Sequence, residues 1–229
     1  MTVINTNVKS LIAQQALATN NRSLSKAMEQ LSTGKRINSA ADDAAGLTIS
    51  NKMTAQIRGL NQAVRNANDG ISMIQTADGA LNEVSNMLQR MRELAVQSTN
   101  GTNSSADRTA LNTEYSQLKA EIQRVSDKTT WNGMAITGSD ATTYAYQVGA
   151  DSGATVTMTF VNIGSTGGTV MSAAGVGVDS VTAATSAITQ LDAAISVVDS
   201  YRSTLGAVVN RLNYAADNLA NISTNTAAS

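Results

Sequence analysis

The chain has 229 residues, 42% of them hydrophobic but only 3% aromatic, and its sixteen basic and seventeen acidic side chains leave a net charge of -1. That balance points to neither nucleic acid nor an anionic membrane as a partner, and so few large rings argue against one thick globular core. Histidine, cysteine and proline are all absent, which removes Ser-His-Asp and Cys-His nucleophiles, thiolate zinc sites and disulfides, and leaves no residue that forces a helix to break.

The opening MTVINTNVKS has no basic segment followed by an apolar stretch and a cleavage site, and the chain has no run of 18 apolar residues. Neither an ordinary signal peptide nor membrane insertion is therefore expected. An export route that needs no cleaved leader stays open.

Residues 1–37 form an amphipathic piece, with Ile4, Val8, Leu11 and Ile12 followed by Leu24, Met28 and Leu31. STGKR, residues 32–36, separates it from a long rod. Nothing obvious in the chain remains to bury this face, so a partner in another molecule is expected. Residues 38–128 read as two rod helices. The first carries apolar residues at Met53, Ile57, Leu60, Val64, Ala67, Ile71 and Ile74, then Asp78, Leu81, Val84, Leu88, Met91 and Ala95. Steps of four and three signal a coiled-coil-like seam, interrupted once by Asp78. Residues 45–97 would span roughly 80 Å as a helix.

Ser39 to Asp42 resembles a capping box and marks the start of that rod helix, and Asn100-Gly101 marks its stop. Ser104 and Asp107 cap the next helix, whose seam is Leu111, Tyr115, Leu118, Ile122 and Val125. So short a connection folds the second helix back antiparallel on the first. Residues 129–180 change period. TVTMTFV, 155–161, alternates as a strand does and pairs with TYAYQV, 143–148, in a hairpin, with a tight Asn132-Gly133 turn just upstream. Residues 181–229 supply the third rod helix, through Ile188, Leu191, Ile195, Val198, Leu205, Val208, Leu212, Leu219 and Ile222. The expected fold is mainly α: a long antiparallel coiled-coil-like helical rod of three main helices plus an amino-terminal helix, with a small β-hairpin region.

Candidate chemistry is thin. The Gly34-Lys35 pair lacks the rest of a Walker motif, because Glu29 stands where glycine is needed and Arg36 where Ser or Thr is needed. Asp42 and Asp43 are adjacent and diverge by about 100° on a helix, and Asp69 and Asp78 lack a third ligand. No convergent carboxylates, metal ligands or activated nucleophile can be assembled. An enzyme is not expected, nor is a cofactor.

LSTGKRINSAADDAAGLTIS (31–50), LNQAVRNANDGISMIQTADGAL (60–81) and LQRMRELAVQS (88–98) resemble bacterial flagellin, and YRSTLGAVVNRLNYAADNLAN (201–221) resembles its carboxyl-terminal rod helix. The resemblance implies a secreted subunit of the bacterial flagellum. It would be exported unfolded through the flagellar export apparatus and polymerised with other copies of itself into a helical filament. In that family the amino-terminal segment pairs with the carboxyl-terminal helix to form the inner tube, which assigns the subunit interface to Ile4, Val8, Leu11, Leu24, Met28 and Leu31. Flagellins usually continue past NLANIST with a connector and a terminal helix, whereas this sequence stops at Ser229, so the expected partner of residues 1–31 lies outside it.

The resemblance also implies recognition by a Toll-like flagellin receptor. Gln89, Arg90, Leu94 and Gln97 carry over from LQRxRELAVQ, with Glu114 as the acidic partner and Arg90 as the anchor. Met91 stands where another aliphatic residue is common. The alternatives are a hook–filament junction protein, which resembles flagellin at its amino end, or a non-polymerising surface adhesin or receptor ligand.

Overall fold

The rod helix of 56 residues, α2 (Ala44–Thr99), buries one face along much of its length: Leu81, Val84, Leu88, Met91 and Ala95 have no accessible surface. The structure is a computed structural model that describes residues 7–138, 142–164, 170 and 176–229. It contains α1 (Val8–Thr33), α2, α3 (Ser105–Lys128) and α4 (Val181–Ala228). Between α3 and α4 lie strands β1 (Thr130–Trp131), β2 (Met134–Ala135), β3 (Thr143–Gln147) and β4 (Thr155–Thr159). The chain divides into two compact units, Met1–Gln56 and Ile57–Ser229.

Within the second unit, residue pairing fixes how the helices run. Arg90 meets Glu114 and Arg108 meets Ser98, so α3 returns antiparallel along α2. Asn61 meets Ser223, Asp78 meets Arg202 and Arg92 meets Asp192, so α4 is also antiparallel to α2. The three helices share one aliphatic core. Tyr115 and Ile122 enter from α3, and Leu191, Val198, Leu205 and Leu212 enter from α4, all buried against the α2 seam. Alanine fills much of the rest, at Ala67, Ala77, Ala184, Ala187 and Ala194. A window of 18 residues in α4 reaches a mean hydropathy of 1.3, enough by length and composition to cross a membrane. Ala184, Ala187, Leu191, Ala194 and Val198 nevertheless face this core.

Helix ends follow local chemistry. Asn100 and Gly101 terminate α2, and the Arg108 guanidinium donates to the freed carbonyls of Ser98 (2.9 Å) and Asn100 (3.2 Å). Such a cation satisfies carbonyls that no helical N–H reaches and lies at the negative end of the helix dipole. Ser104 and Asp107 form the expected reciprocal capping box of α3. The start of α2 differs from expectation. Asp43 is its cap, accepting from the Gly46 N–H at 2.8 Å, and the helix begins at Ala44. Ser39 to Asp42 forms a separate turn whose Asp42 carboxylate accepts from the backbone N–H groups of Asn38 (3.3 Å) and Ser39 (3.1 Å). A carboxylate reaches the N–H three residues ahead, so moving the cap from Ser39 to Asp43 also moves the helix start.

Asp78 does not break the seam. It sits at the seam's edge, where Arg202 of α4 donates to it at 2.8 Å, while Ile74 and Leu81 on either side stay buried.

The hairpin is as expected in register. Thr143 faces Thr159 and Gln147 faces Thr155 in an antiparallel β3–β4 pair. Alternation buries Val156 and Met158, while Phe160 just beyond meets Tyr144 edge to face at 5.6 Å. The hairpin lies on α2 at Gly70, where a Cβ would come within 2.9 Å of the Tyr146 ring. Asn66 donates to the Gln147 carbonyl (3.2 Å) and the Tyr146 hydroxyl to the Met73 sulfur (3.3 Å). Asn132 (φ 49°) and Gly133 (φ 78°) make the tight turn between β1 and β2, both in the left-handed conformation that a two-residue hairpin turn demands. The Tyr201 hydroxyl, pushed up to about 12 by burial, stays protonated and accepts from the Val161 N–H at 3.1 Å.

Truncating Leu88, which has no accessible surface, to alanine should cost about 2–5 kcal/mol by the transfer and cavity terms of core deletion. Leu31→Ala, at a residue 86% exposed, should change stability by less than about 0.5 kcal/mol. Urea denaturation of both variants checks the contrast.

Candidate functional surfaces

No group of three His, Cys, Asp or Glu side chains that could hold a metal ion exists among the described residues. The chain's candidate sites are surfaces, one in each compact unit.

In the second unit, the exposed flank of α2 and α3 carries four of the five residues expected at a receptor face: Gln89, Arg90, Gln97 and Glu114. Arg90 is the centre of that group. Its Nε donates to Glu114 Oε1 at 2.9 Å, its Nη2 lies 2.9 Å from the same oxygen, and its Nη1 donates to Glu93 Oε2 at 2.9 Å. Glu93 first and Glu114 second push the Arg90 guanidinium further up, so it is charged at any workable pH. Leu94 departs from the expected set. It is 1% exposed and belongs to the core. The helical period explains why: Leu94 lies three residues beyond Met91 and six beyond Leu88, both on the buried seam. Its role is to hold α2 in the bundle so that Arg90 and Gln97 face outward.

Two further features of this face stand outside the expected receptor set. Glu93 stands one helical turn from Arg90, the spacing at which side chains meet, and that spacing is the signal that finds it. The second is a groove of about 500 Å³ lined by Gln89, Arg92, Glu93, Val96 and Gln97, in which Val96 is 47% exposed. Arg92 is turned to the other flank, where its Nε donates to Asp192 at 2.6 Å.

In the first unit, α1 buries no residue at all. Val8, Leu11, Leu24, Met28 and Leu31 are between 56% and 86% exposed, as are Ile12 and Leu17. Ile4 lies outside the described residues. Positions 24, 28 and 31 repeat at helical spacing and make one apolar stripe. The segment after α1 covers the opposite side: Lys26 pairs with Asp42 at 2.8 Å, Gln30 donates to the Arg36 carbonyl at 2.9 Å, and Asn38 donates to Glu29. Residues 34–43 thus occupy the polar side of α1 and leave its leucines uncovered. Gly34, in the left-handed conformation at φ 66°, makes the reversal possible.

Asp42 ties this arrangement together. The Lys26 ammonium, followed by the Ser39 and Asn38 N–H groups, lowers its carboxyl from 3.8 to about 2.

Family models describing the bacterial flagellin N-terminal helical region and the bacterial flagellin C-terminal helical region match residues 4–139 and 188–229. The chain is 47% identical over 224 residues to a flagellin of Halalkalibacterium halodurans, covering 97% of this chain and 82% of that one. It is 51% identical over 153 residues to polar flagellin F of Vibrio parahaemolyticus, covering 67% of this chain but only 41% of the relative. A crystal structure of Bacillus cereus flagellin superposes with a TM-score of 0.60 at 34% identity, covering 68% of this chain and 88% of that one.

A depressed carboxyl contributes stability above its unfolded value, and that contribution is lost as pH falls through the folded value. The Asp42 carboxyl carbon should therefore titrate near pH 2, and the 34–43 segment should loosen as pH drops from about 4 toward 2. Carbon-detected NMR of the side chain, with amide exchange of residues 34–43, reads both.

Proposed function

The chain belongs to the bacterial flagellin family, and from that premise we propose that it is exported unfolded by the flagellar export apparatus and polymerises with copies of itself as a subunit of the extracellular filament. The observation that carries the assembly reading is α1. A helix of 26 residues with no buried side chain, its polar side tied down by its own chain and its leucine stripe left open, has its apolar surface free for another helix. The subunit interface is formed by Val8, Leu11, Leu24, Met28 and Leu31, with Ile4 assigned by the family resemblance. The aliphatic rod of the second unit supplies stiffness. A junction role would confine the chain to the base of the filament, and a filament role distributes it along the whole length.

The face around Arg90 is the surface for a Toll-like flagellin receptor, through Gln89, Arg90, Gln97 and Glu114. What supports this reading is an exposed planar cation, held by carboxylates of two helices and bordered by an open groove. Leu94 serves it from the core.

In cells that depend on this subunit, Leu24→Asp combined with Met28→Asp should abolish filaments while the chain still reaches the medium, as read by electron microscopy and immunoblotting. Filaments of normal length would reject the interface. Arg90→Ala should lower receptor signalling at least about tenfold, the effect of losing a central arginine anchor, with helix content unchanged by circular dichroism.

A further inference from the structure

We propose that Asn100, in the turn between α2 and α3, is a site of non-enzymatic deamidation, and that Arg108 steers its product toward isoaspartate. In this reaction the backbone nitrogen after an asparagine attacks that residue's own amide carbon. A C–N bond forms, the amide group leaves as ammonia with the proton that the attacking nitrogen gives up, and a succinimide ring remains. Water then opens the ring. Attack at the side-chain carbonyl gives aspartate. Attack at the old backbone carbonyl gives isoaspartate, in which the chain runs through Cγ and the old carbonyl has become a free carboxylate.

Glycine or serine after the asparagine favours the attack most, and the sequence offers four such pairs: Asn100-Gly101, Asn132-Gly133, Asn38-Ser39 and Asn103-Ser104. Their surroundings differ. In both serine pairs the attacking nitrogen is occupied, since the Ser39 N–H donates to Asp42 at 3.1 Å and the Ser104 N–H to Asp107 at 2.8 Å. The amides of Asn38 and Asn103 are held as well, by Glu29 and by the Gln97 carbonyl. At Asn132 the left-handed backbone (φ 49°) sets the Gly133 nitrogen nearly opposite the asparagine Cβ, and β1–β2 pairing keeps it there. Asn100 is exposed and lies in no helix or strand. The Gly101 N–H donates to no acceptor among the described residues, and a Cβ at Gly101 would meet nothing within 4 Å. Asn100 Oδ1 accepts from the Thr102 N–H at 3.4 Å, a donor facing the oxygen on which negative charge develops as the ring closes.

Arg108 then decides how the ring opens. Its Nη2 donates to the Asn100 backbone carbonyl at 3.2 Å and its Nε to the Ser98 carbonyl at 2.9 Å. The first of these is the carbonyl that water attacks on the way to isoaspartate, so the guanidinium polarises that route. The resulting carboxylate stands beside a cation from the start, at a helix end that otherwise disfavours negative charge.

The test ages the whole chain in mildly alkaline buffer, with and without guanidinium chloride. Peptide mapping with electron-transfer fragmentation reads each asparagine and distinguishes isoaspartate from aspartate. In the folded chain Asn100 should deamidate at least about tenfold faster than Asn38 or Asn103, whose neighbouring nitrogens must first give up a hydrogen bond to a charged group. It should also outpace Asn132, and in denaturant these two Asn-Gly pairs should converge. The isoaspartate share at Asn100 should be higher in the folded chain than in denaturant. Arg108→Gln should lower that share with helix content unchanged by circular dichroism, and Arg108→Lys, which keeps the charge, should recover part of it.

Asn132, Asn38 or Asn103 reacting as fast as Asn100 in the folded chain overturns the site. An isoaspartate share that is the same in the folded chain, in denaturant and in both Arg108 variants leaves the site standing and overturns the steering role.

Discussion

Everything in the second unit depends on one seam, the row of apolar side chains along α2 that neither α3 nor α4 could bury alone. Leu81, Val84, Leu88 and Met91 are sealed because α3 covers one side and α4 the other. Burial of that row is the main favourable term, since apolar area removed from water stabilises in proportion to its extent. The polar contacts between the helices do a different job. Arg92 with Asp192 and Asp78 with Arg202 are partly exposed ion pairs, a kind worth little in stability. Their order along the helices matters more: α2 presents acid then base, α4 base then acid when read backwards. Antiparallel packing pairs opposite charges, and parallel packing would oppose like ones.

Much of this was legible because helical spacing writes burial directly into sequence. The four-and-three steps through Leu81 to Ala95 and through Leu111 to Val125 mark residues that are buried or packed against the core. The capping box at Ser104 and the β3–β4 register also hold. What escaped sequence reasoning was geometry finer than the period. Asp42 and Asp43 are chemically identical neighbours, and only backbone direction decides that Asp43 caps α2 while Asp42 holds the preceding turn. Asp78 looked like an interruption because its partner lies 124 residues away.

The surface around Arg90 shows the same limit. A motif carried over as a string of letters mixes two sides of one helix: Arg90 and Gln97 face outward and Leu94 faces inward. The surface chemistry belongs to the exposed members, and to Glu93, whose one-turn spacing from Arg90 is visible only once the string is wound into a helix. The amino-terminal helix is the converse case. Its leucines read as an interface from sequence, but nothing in the sequence said that residues 34–43 would fold onto the polar side and keep the apolar side clear.

The alanines of the core lower the ordering that docking of the helices requires. Ala67, Ala77, Ala184, Ala187 and Ala194 have no rotamers to lose when they are buried. A core built partly of such residues demands less ordering at the moment helices dock, and the helices themselves are stabilised by contacts between near neighbours in sequence. A chain without proline also has no slow peptide-bond isomerisation to wait for. On the proposed export route, a subunit that refolds at the tip of a growing polymer is spared the delays that larger side chains and prolines impose.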